Sequence, residues 1–141
     1  PNTHDWYKLK ACESYCRIHR WLNQALNQLE IPSTLTENAI LTGPGQCFMG
    51  AEKNDILLNG FKIAGAAQRR TRDGLLIQGS VQIPKQTTKD YQPAWETAMQ
   101  EIGSESHNIQ WIHSVLNDQS KQGIFQLSKK KFEAETFLKR R

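Results

Sequence analysis

Two side chains of types that do covalent or proton chemistry stand where turns would present them. Cys47 lies in Gly43-Pro44-Gly45-Gln46-Cys47-Phe48, whose glycines and proline suit a sharply turned, backbone-exposed loop. Lys62 follows fifteen residues later, just past Asn59-Gly60. Asn-Gly is the dipeptide that best tolerates the two positive-φ positions of a type I′ hairpin turn. A thiol attacks as thiolate, so a nearby ammonium that favours ionisation would suit a nucleophilic cysteine. Each residue also has a plainer reading. Free cysteine is among the most buried residue types, and a lysine past a hairpin turn can be a solvated edge residue beside a close helix packing. The intervening residues permit the thiol and the ammonium to meet without requiring it.

The strand that carries Lys62 becomes almost bare of side chains at Ala64, Gly65, Ala66 and Ala67. Small residues weaken a strand, so they make sense where something lies close against the backbone. With Asp73-Gly74 giving a second turn signal, three antiparallel strands are expected over about 53–58, 61–70 and 75–83. Period-two alternation would place Lys62, Ala64 and Ala66 on one face and Phe61, Ile63 and Gly65 on the other. One amine then projects beside a shallow floor that a slender ligand or an acyl chain could occupy.

The run Gly60-Phe-Lys-Ile-Ala-Gly-Ala-Ala-Gln-Arg-Arg70, followed by Leu75-Leu-Ile-Gln-Gly-Ser-Val81, resembles the lipoate–protein ligase and octanoyltransferase family, which shares its fold with biotin–protein ligases. The resemblance covers about thirty-five residues. It implies that Lys62 contacts the acyl carbonyl, and in a ligase also the acyl-adenylate phosphate. It implies that Gly65, Ala66, Ala67 and Gln68 line the acyl slot, with Gln78, Gly79 and Ser80 on the neighbouring strand. The Cys47-Phe48 pair is similar to that of the cysteine-dependent octanoyltransferases, which makes Cys47 the acyl-carrying nucleophile. The implied activity moves an octanoyl or lipoyl group onto a lysine of a lipoyl carrier domain or a glycine cleavage H-type protein. The alternatives are an ATP-dependent lipoate–protein ligase, with ATP and magnesium, and a non-catalytic acyl- or carrier-binding module.

The chain also departs from the family. Many relatives have His-Gly-Ser where this chain has Gln78-Gly79-Ser80, and glutamine cannot titrate. The family's Arg-Arg-x-x-Gly-Gly-Gly segment, expected before the first helix, has no counterpart here. Residues 1–141 therefore read as a single domain, the C-terminal part of such a catalytic module, completed by a missing N-terminal half or by self-association.

The remaining elements must position these residues. From Leu9 to Leu29, Cys12, Tyr15, Cys16, His19, Leu22, Leu26 and Leu29 recur at helical spacing, widened by Ile18, Trp21 and Ala25. Arg17, Arg20, Asn23, Gln24 and Asn27 would form the wet face, and Pro32 would stop the helix. A short strand is expected over 38–42, after residues 1–8 in a loop. A second helix should run over 91–102, ended by Gly103, with a loop over 104–108. Residues 109–116 fit a strand or a helix start. A final helix is expected over about 125–138, with Phe125, Leu127, Phe132, Phe137 and Leu138 as its buried positions. The fold class is α+β: an antiparallel three-strand meander plus a short strand, flanked by helices, similar to part of the biotin/lipoate ligase-like fold.

Composition bounds the partners. The 141 residues carry a formal charge of +4, and a mean hydropathy of −0.64 describes a soluble chain. No apolar run approaches the ~18 residues of a membrane helix, and the first residues lack the order of a secretory signal. A cytoplasmic location and no membrane partner are expected. The charge is compatible with an acidic carrier domain, with Arg69, Arg70 and Arg72 near the slot, but no nucleic-acid signature accompanies it. Three cysteines and four scattered histidines show no metal-ligand spacing, so no metal site is expected.

Overall fold

A computed structural model describes residues 1–40, 50–82 and 91–132. The chain forms two units, Pro1–Gln110 and Trp111–Arg141. In the first unit, helix α1 (Asp5–Lys8) and helix α2 (Ala11–Gln28) precede strands β1 (Thr34–Leu35), β2 (Ile56–Leu58), β3 (Phe61–Thr71) and β4 (Gly74–Val81), and helix α3 (Tyr91–His107) follows. The strands form one antiparallel sheet in the order β1-β2-β3-β4. This is the expected α+β class.

α2 is the scaffold of the unit. The Glu13 carboxylate accepts the Lys10 backbone N–H at 2.9 Å, satisfying a donor at the helix start. The helix ends before Pro32. Glu30 turns to a φ of 59°, and its N–H and that of Ile31 donate to Asn27 O and Leu26 O, both at 3.0 Å. These two bonds define a Schellman motif, and Leu26 and Ile31 share one core cluster beneath it. The buried face is Ser14, His19, Trp21, Leu22, Ala25 and Leu26. Cys12 is exposed and Cys16 half-buried, so the stripe does not begin where the apolar spacing placed it. Two clusters share this face. Leu22, Leu26 and Ile31 pack on Ile56, Ile63 and Ala64 of the sheet, while Trp21 and Ala25 pack on Ala98 and Ile102 of α3.

The first hairpin turn is as expected: Asn59 and Gly60 sit at φ 52° and 82°. The second differs. Thr71 pairs with Gly74, so the turn residues are Arg72 and Asp73, and neither Asp73 nor Gly74 has positive φ. Hydrogen bonds from the Asn2 side chain to Arg72 O and from the Asn2 N–H to Asp73 O hold this turn from outside the hairpin. β2 is shorter than expected because Asn54, at φ 72°, closes a turn in which the Asp55 N–H donates to Glu52 O. The short strand lies at Thr34–Leu35 instead of 38–42; Ile40 makes only an isolated bridge with Ala51, and 41–42 lie outside the described residues.

α3 runs through Gly103 to His107, so Gly103 is a buried helical position and not a terminus. The stop is Asn108, at φ 52°, whose successor Ile109 donates to Gly103 O. In the second unit, residues 111–117 have no regular structure and α4 (Asp118–Phe132) begins earlier than expected. Asn117 explains that start, since its side-chain oxygen accepts the Ser120 N–H at 2.8 Å. Phe125 and Leu127 are more than half exposed, contrary to expectation; the side chain of Phe132, and Phe137 and Leu138, lie outside the described residues. Among the described residues no helix is long and apolar enough to cross a membrane.

Candidate active site

The site is shaped by an irregularity in the β2–β3 ladder. Leu57 pairs with Lys62 and Ile56 with Ala64, so Ile63 has no residue opposite it. Such a bulge breaks the alternation of faces. Ile63 and Ala64 are both buried against α2, and Lys62 is turned to the face of Gly65. A β carbon on Gly65 would lie 2.8 Å from Lys62 Cε and 3.0 Å from Nζ. Simple alternation, which put these two residues on opposite faces, is therefore corrected by the bulge.

The Lys62 ammonium lies 2.7 Å from Asp55 Oδ2, with its side chain 13% exposed and that of Asp55 fully buried. Asp55 Oδ2 also accepts the Glu52 N–H at 2.7 Å, and Oδ1 accepts the Tyr15 hydroxyl at 2.6 Å. Burial raises the Asp55 pKa, but hydrogen bonds from Lys62, Tyr15 and the Glu52 N–H outweigh it, leaving the carboxyl below its ordinary range. Burial and the bond to Asp55 push the Tyr15 phenol upward, so it stays a proton donor. His19, one turn along α2, packs on Tyr15 with the rings tilted by 37° and their centroids 4.1 Å apart, and places Nε2 3.7 Å from Asp55 Oδ1. Spacing arguments missed all three groups around Lys62. Asp55 stood within an expected strand, and Tyr15 and His19 were counted as apolar stripe. The available signal was two polar-tipped residues, four apart, on a buried face.

The residues expected along the acyl slot divide between the two faces of the β3–β4 ladder. Gly65 pairs with Ser80 and Ala67 with Gln78. Ala67, Gln78 and Ser80 are exposed, and with Gly65 they make a shallow open floor beside Lys62. Ala66 pairs with Gly79 and Gln68 with Ile77, on the face toward α2. The Gln68 amide is engaged there, accepting from the buried Ser14 hydroxyl at 2.7 Å and donating to Ala11 O. Arg70 continues this face, donating to Ser14 Oγ and to Tyr7 O. Gly79 has its own reason to be bare, because a β carbon would come within 3.0 Å of Gly65 O and 3.3 Å of Ala66 Cβ. Thus Gly65, Ala67, Gln78 and Ser80 share one face of the ladder, with Gly65 directly beneath Lys62, while Gln68 ties the other face to α2 and Gly79, itself exposed, packs against β3. Cys47 lies outside the described residues. A broad concavity lined in part by Trp6, Cys12, Arg17, Arg20 and His107 includes none of these residues.

Lys62 is thus held over Gly65 in a small-residue β-hairpin backed by one long helix. Residues 3–132 match the family model of the lipoyl protein ligase A/B catalytic domain, and the chain belongs to that family. Among solved structures it is similar to a T. acidophilum protein assigned as a lipoate protein ligase, with lipoic acid bound, at TM-score 0.59 and 17% identity. That alignment covers 86% of this chain and 58% of the other. Another structure of the same protein gives TM-score 0.57 and 18% identity, over 85% and 57%. The chain therefore spans less than two thirds of the length of these relatives. A comparison with curated proteins finds no match.

Proposed function

We propose that the chain is part of an acyltransferase of protein lipoylation, moving an octanoyl or lipoyl group onto a lysine of a lipoyl carrier domain or a glycine cleavage H-type protein. The observation that carries this reading is Lys62, held by Asp55 at the end of an open floor of Gly65, Ala67, Gln78 and Ser80. An acyl chain laid on that floor would bring its carbonyl to the ammonium, which stabilises the oxyanion as attack proceeds. The Cys47 thiolate would attack the donor thioester, forming a new thioester as the carrier thiol leaves with a proton. The target lysine amine would then attack, forming the amide, and its released proton would return to the departing Cys47 sulfur. Gln78 can position a carbonyl or water by hydrogen bonding but takes no proton step.

The relative with bound lipoic acid favours a second reading, an ATP-dependent lipoate–protein ligase in which Lys62 holds the acyl-adenylate. Such a reaction uses magnesium, which binds through one or two carboxylates together with the nucleotide phosphates. Transfer from octanoyl carrier protein to a lipoyl domain, with and without ATP, separates the readings. Transfer without ATP that disappears in Cys47→Ala supports the transferase. ATP-dependent transfer that survives Cys47→Ala supports the ligase. A wild-type rate in Lys62→Ala overturns both, and acyl binding with no transfer, even when the completing half is supplied, points to a binding module.

A further inference from the structure

Asp55 has a second potential cation beside it. His19 Nδ1 lies 2.8 Å from Tyr15 O, and a carbonyl only accepts, so Nδ1 carries a proton. In the neutral ring Nε2 is then a bare lone pair. It is fully buried, has no hydrogen-bond partner, and faces the Asp55 carboxylate at 3.7 Å. Two acceptors facing each other make no bond. A proton on Nε2 would convert this contact into an ion pair without moving the backbone. The groups around His19 are Tyr15 from α2, Asp55 and the backbone of Glu52 ahead of β2, and Lys62 from β3.

We infer that Asp55 serves two cations in alternation: the Lys62 ammonium while it rests on Gly65, and a His19 imidazolium when Lys62 turns toward an acyl carbonyl. The exchange balances charge. Resting, the carboxylate and the ammonium cancel; when the ammonium leaves, Asp55 would be a buried, uncompensated anion, which is costly. One proton from solvent, bound at His19 Nε2, restores neutrality, and the same proton is released when Lys62 returns. Occupation of the site is thereby coupled to proton uptake at a side chain that touches no substrate. The direction of the electrostatics agrees, since burial, and then the Lys62 charge, lower the His19 pKa while Asp55 raises it. The turning of Lys62 rests on the proposed acyl-transfer reading; the sharing of Asp55 does not.

Histidine titration by NMR tests the sharing without any activity. In Lys62→Met, which keeps the length of the side chain and removes the charge, the His19 midpoint moves to higher pH than in the wild type. Gly65→Ala achieves the same by a different route: its β carbon comes 2.8 Å from Lys62 Cε and 3.1 Å from Asp55 Oδ1, and since Tyr15 and the Glu52 N–H hold the carboxylate, the flexible end of Lys62 is the part that yields. Lys62→Arg, which retains a cation, leaves His19 nearer its wild-type midpoint. A midpoint unchanged or lowered in whichever of Lys62→Met and Gly65→Ala is folded overturns the inference. Proton uptake on adding octanoate, read by calorimetry in two buffers of different ionisation enthalpy, supports the coupling. Octanoate binding without proton uptake overturns it. No octanoate binding, with the His19 shift present in the variants, removes the acyl reading and the turning of Lys62 and leaves the shared carboxylate standing.

Discussion

The ammonium of Lys62 rests on the bare backbone of Gly65, close enough that a β carbon there would stand 3.0 Å from Nζ. Gly65 has no positive φ that would demand glycine, so its smallness serves the ion pair above it. Gly65→Ala should leave the sheet intact, because the two most crowded atoms are the far end of the flexible Lys62 side chain, while Asp55 Oδ1, at 3.1 Å from the new β carbon, needs to give only slightly. It should cost about 1–3 kcal/mol, the loss expected when a buried acceptor gives up one partner. Urea unfolding measures this, and acyl transfer by the same variant should fall further than its folded fraction does.

Asp55 is more exposed to mutation than Lys62 itself. Asp55→Ala removes the acceptor for Lys62, Tyr15 and the Glu52 N–H together. Breaking a buried pair from one side costs about 3–5 kcal/mol, a large part of the stability of a small domain. Asp55→Asn keeps an acceptor oxygen and should cost less. Thermal unfolding should therefore rank wild type above Asp55→Asn, and Asp55→Asn above Asp55→Ala. Equal midpoints for the two variants would show that the carboxylate charge, and not its geometry, holds the site.

Much of this architecture was legible in residue types. Asn59-Gly60 fixed one turn because few other dipeptides accept two left-handed residues, and the apolar spacing of α2 named most of its buried face. The bulge at Ile63 was not legible. Its cause is tertiary, since α2 offers buried space to two consecutive residues, Ile63 and Ala64, where alternation allows one. That single residue reassigned every face beyond it, gathering Lys62 with Gly65 and turning Gln68 toward Ser14. The second turn misled for a related reason: Asp73-Gly74 looks like a type I′ signal, but outside contacts from Asn2 hold a different loop. Polar groups in a helical stripe were counted as core, and they are core, but with chemistry attached.

The end of α2 offers a stabilising change. Glu30 occupies a left-handed conformation at φ 59°, which costs a residue with a side chain roughly 1 kcal/mol that glycine does not lose. The side chain is exposed, so its removal sacrifices no packing. Glu30→Gly should raise stability by about 0.5–1 kcal/mol, less the added freedom of the unfolded chain. The two Schellman hydrogen bonds to Leu26 and Asn27 remain. Chemical denaturation at constant slope should show a higher midpoint; a lower one would mean the Glu30 side chain contributes an interaction of its own.

Acid should weaken the fold in two stages whose order follows from burial. His107 has Nε2 buried without a partner, its ring against Trp6 and Trp21; burial and then the Arg17 charge hold its pKa below the ordinary value. His19 is lowered by burial first and then by Lys62. A histidine with a depressed folded pKa binds fewer protons folded than unfolded, so stability is complete above the unfolded value near pH 6.5 and declines below it. Asp55 is also depressed, so its contribution persists through that range and is lost only below the unfolded carboxylate value of about 3.9. Melting temperatures should therefore be level from about pH 8 to 7, fall from about pH 6.5 to 5 through the histidines, and fall again under more acidic conditions. His107→Phe should flatten the first decline without touching the second, and Asp55→Asn should shrink the second. A first stage that keeps its full size in His107→Phe would assign it to His19 alone.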